Sequence, residues 1–479
     1  MDIAIIGGGA AAVGLLDALA AAEDSGPGTI TVFEPSPRLW RGRPYGPDLD
    51  AVLVNAPPAI MSIRHGDLGH YAAWLGERGA AHLDPLLGQP LVPRALYGDY
   101  LAYTAEKATA ALEESGLRVR VEAARVAEAT RSGGRLTLRT GDGRAYAATH
   151  LALCVGSGAP PDPYGLTGSP GYTGDPYPLA RTLDGVCATD DVAIIGSGLT
   201  AVDVVVSLAA RGHTGRIALL SRSGLLPHVW QRPVDRRPRH LTAERITALY
   251  EQRAGSLTLE DLVGLLRAEL ADAKEDFGEF AAELMAADAE DPARRLRRQL
   301  AAVDDPRIGR RMLQEAAHAV GPYAWRLLPD ADRARLRQHF RLAVGVASPM
   351  VPVNAAVLLR LLESGQLVIA PGVRAIERVN GRANGRFQVH AVRGAGRTAD
   401  VVVNAVNPAP QSVPDAARHL VQSLGRAGLA TPHPGGGLVP ADPRLHVVGD
   451  LAGGGSFITT SIPGVAAQAR RAARALRAS

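Results

Sequence analysis

Short apolar runs and a glycine turn dominate the start of the chain. The run IAII at 3–6 predicts a buried strand, and the segment 10–22, rich in small residues, predicts a helix. TITVFEP, from Thr29, predicts a second strand, and the glycine run 7–9 stands between the first strand and the helix. This order is typical of a βαβ unit with parallel strands.

The same pattern returns near the middle of the chain. Residues 192–224, VAIIGSGLTAVDVVVSLAARGHTGRIALLSRSG, again predict a strand, a glycine turn, a helix and a strand. The two units are the nearest thing to an internal repeat in this sequence. The sequence therefore predicts two related βαβ units in one chain.

The remaining segments differ in periodicity. Residues 117–155 alternate apolar and polar positions around GG and GDG turns, which predicts a β-meander returning to a buried strand at 151–155. Residues 95–114 have helical spacing, and residues 240–340, rich in Ala, Arg and Glu, predict a helical insertion or lid. Strand-like runs return after about residue 350, and the chain ends in a strand, a glycine loop and a helix.

Composition narrows the class of protein. With 479 residues, 46% hydrophobic, 21% charged and a net charge of +4, the chain has a globular composition, and its arginines alternate with acids instead of forming a nucleic-acid surface. Its two cysteines, Cys154 and Cys187, form no CxxC, which argues against thiol redox chemistry and a zinc site. The N-terminal run lacks a basic leader, and no run of about 18 apolar residues follows. We expect a cytoplasmic protein with no metal, membrane or nucleic-acid partner.

The first unit carries a dinucleotide-binding motif. Gly7, Gly9 and Ala12 fit G-x-G-x-x-A, in which the glycines allow a tight turn and close approach of a pyrophosphate to the helix N-terminus. Glu34 ends the second strand, where a carboxylate binds ribose hydroxyls. The alternative is a parallel βαβ unit without a ligand. The predicted nucleotide-binding residues are Gly7, Gly9, Ala10, Ala11, Ala12, Glu34 and Pro35.

The second unit ends differently. Gly196, Gly198 and Ala201 repeat the motif, but the second strand ends in Ser221 and Arg222. An acid would repel a 2′-phosphate, whereas a guanidinium pairs with it, so this unit predicts NADPH as its ligand. The basic loop 232–240 is expected to assist, unless its arginines only cap a surface loop. The predicted ligand residues are Gly196, Gly198, Leu199, Thr200, Ser221 and Arg222.

Together the two motifs resemble those of the two-dinucleotide flavoproteins, in which the N-terminal site holds FAD and the inserted site NAD(P)H. THLALCVGSGAPPDP is similar to the segment that joins their two domains, and LHVVGD to their late FAD motif. The resemblance implies that Gly449, Asp450 and Thr460 bind FAD. The alternative for Asp450 is an ordinary helix cap.

The stretch from Arg41 to Leu101, with RGRPYG, VLVNAPPAIMS and LVPRALYGDYL, resembles bacterial FAD/NAD(P)-binding proteins that include the flavin-dependent L-aspartate N-monooxygenases, which form nitrosuccinate. The resemblance covers most of the chain outside the helical insertion. It implies that Arg41, Asn55 and Met61 lie by the flavin and that Arg94 and Tyr97 lie near the cofactor or substrate. The alternative is loop structure and core packing.

One stretch departs from that family. Many relatives have His and Arg where this chain has AVGVASPMVPVNAA, so an anionic substrate identical to theirs is in doubt, and Ser348 and Asn354 would offer neutral contacts. The predicted pocket residues are Met61, Arg64, His65, Trp325, Ser348, Asn354 and Phe457.

The resemblance implies a flavoprotein reaction. The dithiol reductases of this superfamily need a redox-active cysteine pair, which Cys154 and Cys187 do not supply. The stretch GLTGSPGYTGDPYPLA lacks the His of the Baeyer–Villiger fingerprint. We therefore expect an FAD- and NADPH-dependent monooxygenase that N-hydroxylates a small amino acid or amine with O₂, through a flavin C4a-hydroperoxide, in a biosynthetic pathway. The alternatives are an FAD-dependent oxidase or dehydrogenase without oxygen transfer, and a non-catalytic nucleotide-binding protein. A homo-oligomer is left open.

The sequence thus predicts an α/β protein with two Rossmann-like, three-layer dinucleotide-binding domains and a helical insertion. The predicted segments are 1–160, the first part of the FAD-binding domain; 161–235, the first part of the NADPH-binding domain; 236–345, the insertion or lid; 346–410, the return of the NADPH-binding domain and link to the FAD domain; and 411–479, the C-terminal part of the FAD-binding domain.

Overall fold

The structure is a computed structural model. It describes residues 1–21, 26–286, 290–379, 387–392, 396–453 and 461–478.

The helices are α1 Ala10–Ala20, α2 His70–Leu75, α3 Arg94–Glu114, α4 Leu179–Thr182, α5 Leu199–Ala210, α6 Ala243–Gln252, α7 Leu259–Asp272, α8 Phe277–Met285, α9 Pro292–Ala301, α10 Gly309–Ala319, α11 Gly321–Leu327, α12 Asp330–Gln338, α13 Phe340–Ala347, α14 Pro352–Glu363, α15 Arg418–Arg426 and α16 Ile462–Ala478. The strands are β1 Asp2–Ile6, β2 Gly28–Phe33, β3 Leu83–Asp84, β4 Gln89–Pro90, β5 Leu117–Glu122, β6 Val126–Ser132, β7 Arg135–Thr140, β8 Ala145–Ala148, β9 His150–Leu153, β10 Tyr172–Thr173, β11 Val192–Ile195, β12 Ile217–Ser221, β13 Leu367–Pro371, β14 Val373–Arg378, β15 Phe387–Ala391, β16 Arg397–Ala399, β17 Val401–Asn404, β18 Ala430–Pro432, β19 Leu438–Pro440 and β20 Leu445–Val447.

The first sheet is built around the N-terminal strand. Its parallel strands run in the order β20-β9-β1-β2-β5, and Ile5 lies between Val32 and Ala152. Strands such as β1 are apolar along their length because helices cover one face and other elements the opposite face. Helices α1, α3 and α16 pack on one face, and β6–β8 with α15 pack on the other, which gives three layers.

The second sheet repeats this plan. Its parallel strands run β10-β17-β11-β12-β13, with Ile194 between Leu219 and Val403. Helices α5 and α14 cover one face, and the antiparallel sheet β14-β15-β16 covers the other. The two Rossmann-like, three-layer units predicted from the sequence are confirmed, whereas the domain boundaries stay a prediction.

The predicted insertion is helical. Helices α6, α7, α8, α10, α11 and α12 pack around their own apolar cluster, which includes Leu270, Met312 and Trp325, whereas α9 joins the core of the second unit through Leu296. Several of these helices begin with a side-chain cap, such as the capping box of Thr258 and Asp261. Among the described residues, no helix is long and apolar enough to cross a lipid bilayer.

The β-meander predicted over residues 117–155 was wrong in part. The segment 117–155 does not form a single meander, because its first strand, β5, pairs in parallel with β2 at the edge of the first sheet. Only β6, β7 and β8 form the antiparallel sheet, and β9 returns to the first sheet. In the edge strand β5 the exposed Arg118 and Arg120 alternate with the buried Leu117 and half-buried Val119, so its pattern resembles that of a meander strand.

Candidate active site

The first glycine turn can only be built with glycine. Gly7 has φ +101°, and a Cβ there would lie 2.2 Å from the carbonyl oxygen of Cys154. Its N–H donates to the carbonyl of Phe33 at 2.9 Å. The turn is therefore wedged between β2 and the end of β9, and it presents the N-terminus of α1.

The N-terminus of α1 has no side-chain cap. Gly9 is its N-cap and supplies no side-chain hydrogen bond, so the first N–H groups of the helix keep their usual need for an acceptor. The Glu34 carboxylate accepts hydrogen bonds at 2.8 Å from the N–H of Gly8 and at 2.8 Å from the N–H of Ser36. These bonds fix Glu34 beside the turn. Pro35, which follows it, is exposed.

A loop of residues 36–46, the cover loop, folds over this turn. The N–H of Trp40 donates to the carbonyl of Gly8 at 2.6 Å, and a Cβ on Gly9 would lie 3.5 Å from the Cα of Gly42. Arg41 anchors the loop to α3, since its guanidinium donates to the carbonyl of Ala95 at 3.2 Å and to the Asp99 carboxylate at 2.6 Å. The direct role of Arg41 in cofactor binding stays a prediction.

The predicted flavin-side loop around Asn55 and Met61 is held from two directions. Its Asn55 carbonyl accepts a hydrogen bond at 2.7 Å from Nε1 of Trp230, which belongs to the loop after β12. The Tyr97 hydroxyl donates to the carbonyl of Met61 at 2.8 Å. Oδ1 of Asn55 is buried without a hydrogen-bond partner among the described residues, and such an atom favours a polar ligand.

The predicted late FAD motif, which contains Gly449 and Asp450, packs against the first turn of α1. A Cβ on Gly449, which has φ +102°, would lie 3.4 Å from Cβ of Ala11, and the Gly449 N–H donates to Oε1 of Gln468 at 2.6 Å. The Asp450 carboxylate accepts from the N–H of Gln411 at 3.2 Å. Asp450 stands well before Ile462, where α16 begins, so it is not the residue at the N-cap position of that helix. Thr460 and Phe457 lie outside the described residues.

The second glycine turn has the same backbone conformation as the first, and there is more space around its second glycine. Gly196 has φ +121°, and a Cβ there would lie 2.9 Å from the carbonyl oxygen of Ala405. A Cβ on Gly198, the N-cap of α5, would meet no described atom within 4 Å. Leu199 opens α5, and the Thr200 hydroxyl donates to Oδ1 of Asn407 at 3.1 Å. This helix N-terminus is also suited to a phosphate.

The two predicted ligand residues at the end of β12, Ser221 and Arg222, lie in different environments. Ser221 is buried, and its Oγ accepts a hydrogen bond from the N–H of Gly224 at 2.7 Å, so it shapes the turn. Arg222 is exposed and lines a cavity of about 740 Å³ between the second sheet and β14–β16. Within the described residues it forms no ion pair.

The basic loop 232–240 faces the insertion. Arg232 pairs with Asp304 at 2.5 Å, and Arg239 pairs with Asp272 at 3.8 Å. The backbone N–H groups of Arg239 and His240 donate to the Glu269 carboxylate. Arg232 and Arg239 thus pair with acids of the insertion, and the assistance of this loop in nucleotide binding stays a prediction.

Arg94 lies in a buried network between the two nucleotide units. Its guanidinium pairs with Asp203 of α5 at 2.6 Å, with side-chain exposures of 9% and 0%. It also donates to the carbonyl of Leu53 at 2.9 Å and to the Tyr177 hydroxyl at 3.0 Å. That hydroxyl donates to Asp203 in turn. Arg94 thus joins α3 to α5, and its place near the cofactor or substrate stays a prediction.

The pKa of Asp203 reflects this setting. Burial raises it, and the charge of Arg94 opposes the rise. The carboxylate depends on its arginine partner because an unpaired charge in a buried site is very costly. The pair therefore fixes how the two units face each other.

A cleft of about 990 Å³ separates the insertion from α16 and the late glycine motif. Trp325 and Arg326 line it from α11, and Gln468 and Arg471 line it from α16, close to Gly449. The described lining residues contribute no carboxylate side chain. Burial lowers the pKa of Arg471, and the charge of Arg326 lowers it further. The cleft is therefore positive.

The predicted pocket residues divide into two groups. His65 and Trp325 line this cleft, whereas Met61 is buried beside Tyr97. Arg64 pairs with Asp17 of α1 at 2.7 Å, so its pocket role is not supported. Asn354 is buried and Ser348 half-buried, and neither is among the described residues that line the cleft.

Sequence reasoning missed the charged residues of the cleft. Arg326 directly follows Trp325, and Arg471 lies in the basic final helix. Neither belongs to a predicted nucleotide-binding motif, and the packing of α11 opposite α16 brings them together. A run of arginines on a helix is usually a solvated face, so the pattern held no sufficient signal.

Comparisons with known proteins agree with this fold. Residues 4–158 match a family model described as FAD-NAD(P)-binding, which is less than half of the chain. No curated protein sequence matches significantly.

Solved structures match over almost the whole chain. L-lysine 6-monooxygenase from Pseudomonas syringae is 17% identical with a TM-score of 0.56, covering 100% of this chain and 99% of its own. Ornithine hydroxylase from Pseudomonas aeruginosa is 14% identical with a TM-score of 0.57, covering 99% of each chain. The FAD-bound cadaverine monooxygenase from Erwinia amylovora is 12% identical with a TM-score of 0.58, covering 100% and 94%. At these identities the likeness establishes the fold.

Proposed function

We propose that this protein is an FAD-dependent, NADPH-consuming monooxygenase that N-hydroxylates a small amino acid or amine. One observation carries the proposal. Two glycine turns, one beside Glu34 and the other followed by Arg222, belong to two βαβ units that the buried Arg94–Asp203 pair joins through α3 and α5. Such a pair of sites suits a resident cofactor and a coenzyme that reduces it.

The first turn fits FAD. The N-terminus of α1 would bind the pyrophosphate, and Glu34 would bind the ribose hydroxyls, as in other dinucleotide folds. The unpartnered Oδ1 of Asn55 would accept a hydrogen bond from the ring system. Gly449 permits the close approach of the late motif to α1.

The second turn fits NADPH. The space at Gly198 would admit the pyrophosphate to the N-terminus of α5, and Arg222 would pair with the 2′-phosphate. Ser221 would help by holding the Gly224 turn.

When bound, FAD reduced by NADPH supplies the activation of O₂ that the reaction requires. One oxygen atom goes to the amine nitrogen and the other leaves as water, while NADPH provides a hydride and the solvent a proton. Only a neutral amine has the lone pair that attacks oxygen. Arg326 and Arg471 make the cleft positive, which disfavours an ammonium and keeps the nitrogen available. The insertion would shield this cleft from water.

Two further observations support this class. The structures of similar fold include enzymes named for the hydroxylation or monooxygenation of lysine, ornithine and cadaverine. A dithiol mechanism needs a pair of reactive thiols. The chain has two cysteines: Cys187 is exposed, and burial raises the pKa of Cys154 to about 12. We further propose a cytoplasmic location.

The test uses the purified full-length protein loaded with FAD. NADPH oxidation is followed across a panel of amino acids and amines, with hydroxylamine product and hydrogen peroxide measured in the same samples. We expect one class of amine to raise NADPH oxidation and to give hydroxylamine in a near one-to-one ratio. Peroxide as the sole product with every amine would instead establish an oxidase, and a colourless protein that takes up no FAD would establish a non-catalytic binder.

A further inference from the structure

The last helix of the insertion, α13, lies against the loop that leaves the predicted NADPH unit. We propose that Arg341 of α13 is a second cationic ligand of the NADPH 2′-phosphate, opposite Arg222. This inference rests on the proposed function, since it deepens the coenzyme site.

Backbone hydrogen bonds fix the position of α13. The N–H of His228 donates to the carbonyl of Gly345 at 3.0 Å, and the N–H of Met350 donates to the carbonyl of His228 at 2.7 Å. The N–H of Trp230 then donates to the carbonyl of Met350 at 3.0 Å, so Val229 and Met350 form a parallel bridge. The insertion is thus joined to the chain a few residues after Arg222.

Arg341 shares the docked face of α13. Gly345 is the point of contact, since a Cβ there would lie 3.9 Å from the carbonyl oxygen of Leu226 and 3.8 Å from the ring of His228. Residues four apart on a helix lie on the same face, which places Arg341 one turn before Gly345 on the side of the β12 loop. Arg222 lies four residues before Leu226.

The electrostatics agree with this placement. The pKa of Arg341 is lowered by loss of surrounding water and then by the charge of Arg222, so the two guanidiniums are close enough to repel each other. The same charge of Arg222 acts on the phenol of Tyr164. Within the described residues, neither arginine has an ion-pair partner. Two exposed guanidiniums without an acid between them suit a doubly charged phosphate.

This arrangement gives the insertion a role in coenzyme choice. NADPH would be contacted by two parts of the chain, whereas NADH, which lacks the 2′-phosphate, would leave the two arginines repelling each other. Selection would then come from the attraction of the phosphate and from this uncompensated repulsion.

The experiment measures binding, so it does not depend on turnover. Isothermal titration calorimetry on the FAD-loaded protein compares 2′,5′-ADP with 5′-AMP for the wild type, Arg341→Gln, Arg341→Lys and Arg222→Gln. The matched control is Arg335→Gln, an exposed arginine of α12 paired with Asp332. Thermal unfolding confirms that each variant is folded.

We expect Arg341→Gln to weaken 2′,5′-ADP binding roughly tenfold, the loss of one charge-assisted contact, with 5′-AMP unchanged. Arg341→Lys should retain most of the affinity, and the control should match the wild type. Wild-type affinity in Arg341→Gln, together with a loss in Arg222→Gln, would overturn this inference and leave the proposed function standing. Failure of the wild type to prefer 2′,5′-ADP over 5′-AMP would overturn both.

Discussion

The two glycine turns share one backbone and differ in what surrounds them. In both, the first glycine has a positive φ and a carbonyl oxygen directly behind it, that of Cys154 for Gly7 and that of Ala405 for Gly196. The cover loop closes over the first turn, whereas nothing described lies within 4 Å of a Cβ on Gly198. An enclosed turn suits a cofactor that stays bound, and an open one suits a coenzyme that must enter and leave.

The largest expected effect follows from the first glycines. Gly7→Ala places a Cβ 2.2 Å from backbone in a conformation that favours glycine, and we expect a loss of more than about 4 kcal/mol in the free energy of unfolding. In Gly196→Ala the Cβ would lie 2.9 Å from the carbonyl oxygen of Ala405, so we expect a smaller loss of stability and full FAD content. Thermal unfolding and the FAD-to-protein ratio measure both. Equal losses in the two variants would contradict the difference between the turns.

The next effect concerns the joint between the units. Arg94→Met leaves the Asp203 carboxylate buried without its cation, and we expect about 3–5 kcal/mol of destabilisation in chemical denaturation. The double variant Arg94→Met/Asp203→Leu removes both charges and should be more stable than Arg94→Met alone. If the double variant is the less stable of the two, the ion pair is not what couples the units.

A smaller effect separates binding from folding. Gly198→Ala meets no neighbour, so its unfolding temperature should match the wild type, but the methyl group would stand where the pyrophosphate approaches. We expect the KM for NADPH to rise about tenfold, or 1.4 kcal/mol, with full FAD content. Gly9→Ala is the matched change in the enclosed turn and should lower FAD content instead. An unchanged KM in Gly198→Ala would place the coenzyme elsewhere.

Much of this architecture follows from local sequence. Strand, glycine turn and helix are specified by neighbouring residues, so both βαβ units and the helical character of 240–340 were predictable. The edge strand β5 was not, because its partner β2 is set by tertiary pairing.

The charged side chains of the candidate site were less predictable. Arginine is a common ligand-binding residue, which made Arg64 and Arg94 candidates. Their partners are Asp17 and Asp203, which lie in helices of largely apolar sequence. Arg326 and Arg471 become neighbours across the cleft only when the insertion packs against α16. Pairing between distant segments leaves no periodic trace, which is why these assignments required the structure.

The central claim is that the first unit holds FAD and the second holds the NADPH that reduces it. Arg222→Glu tests it most directly, by anaerobic stopped-flow reduction of the bound FAD with NADPH and with NADH. We expect full FAD content, a rise of at least about tenfold in the NADPH concentration needed for half-maximal reduction, and little change with NADH. Wild-type NADPH dependence in Arg222→Glu, or loss of FAD from that variant, would contradict the assignment of the two units.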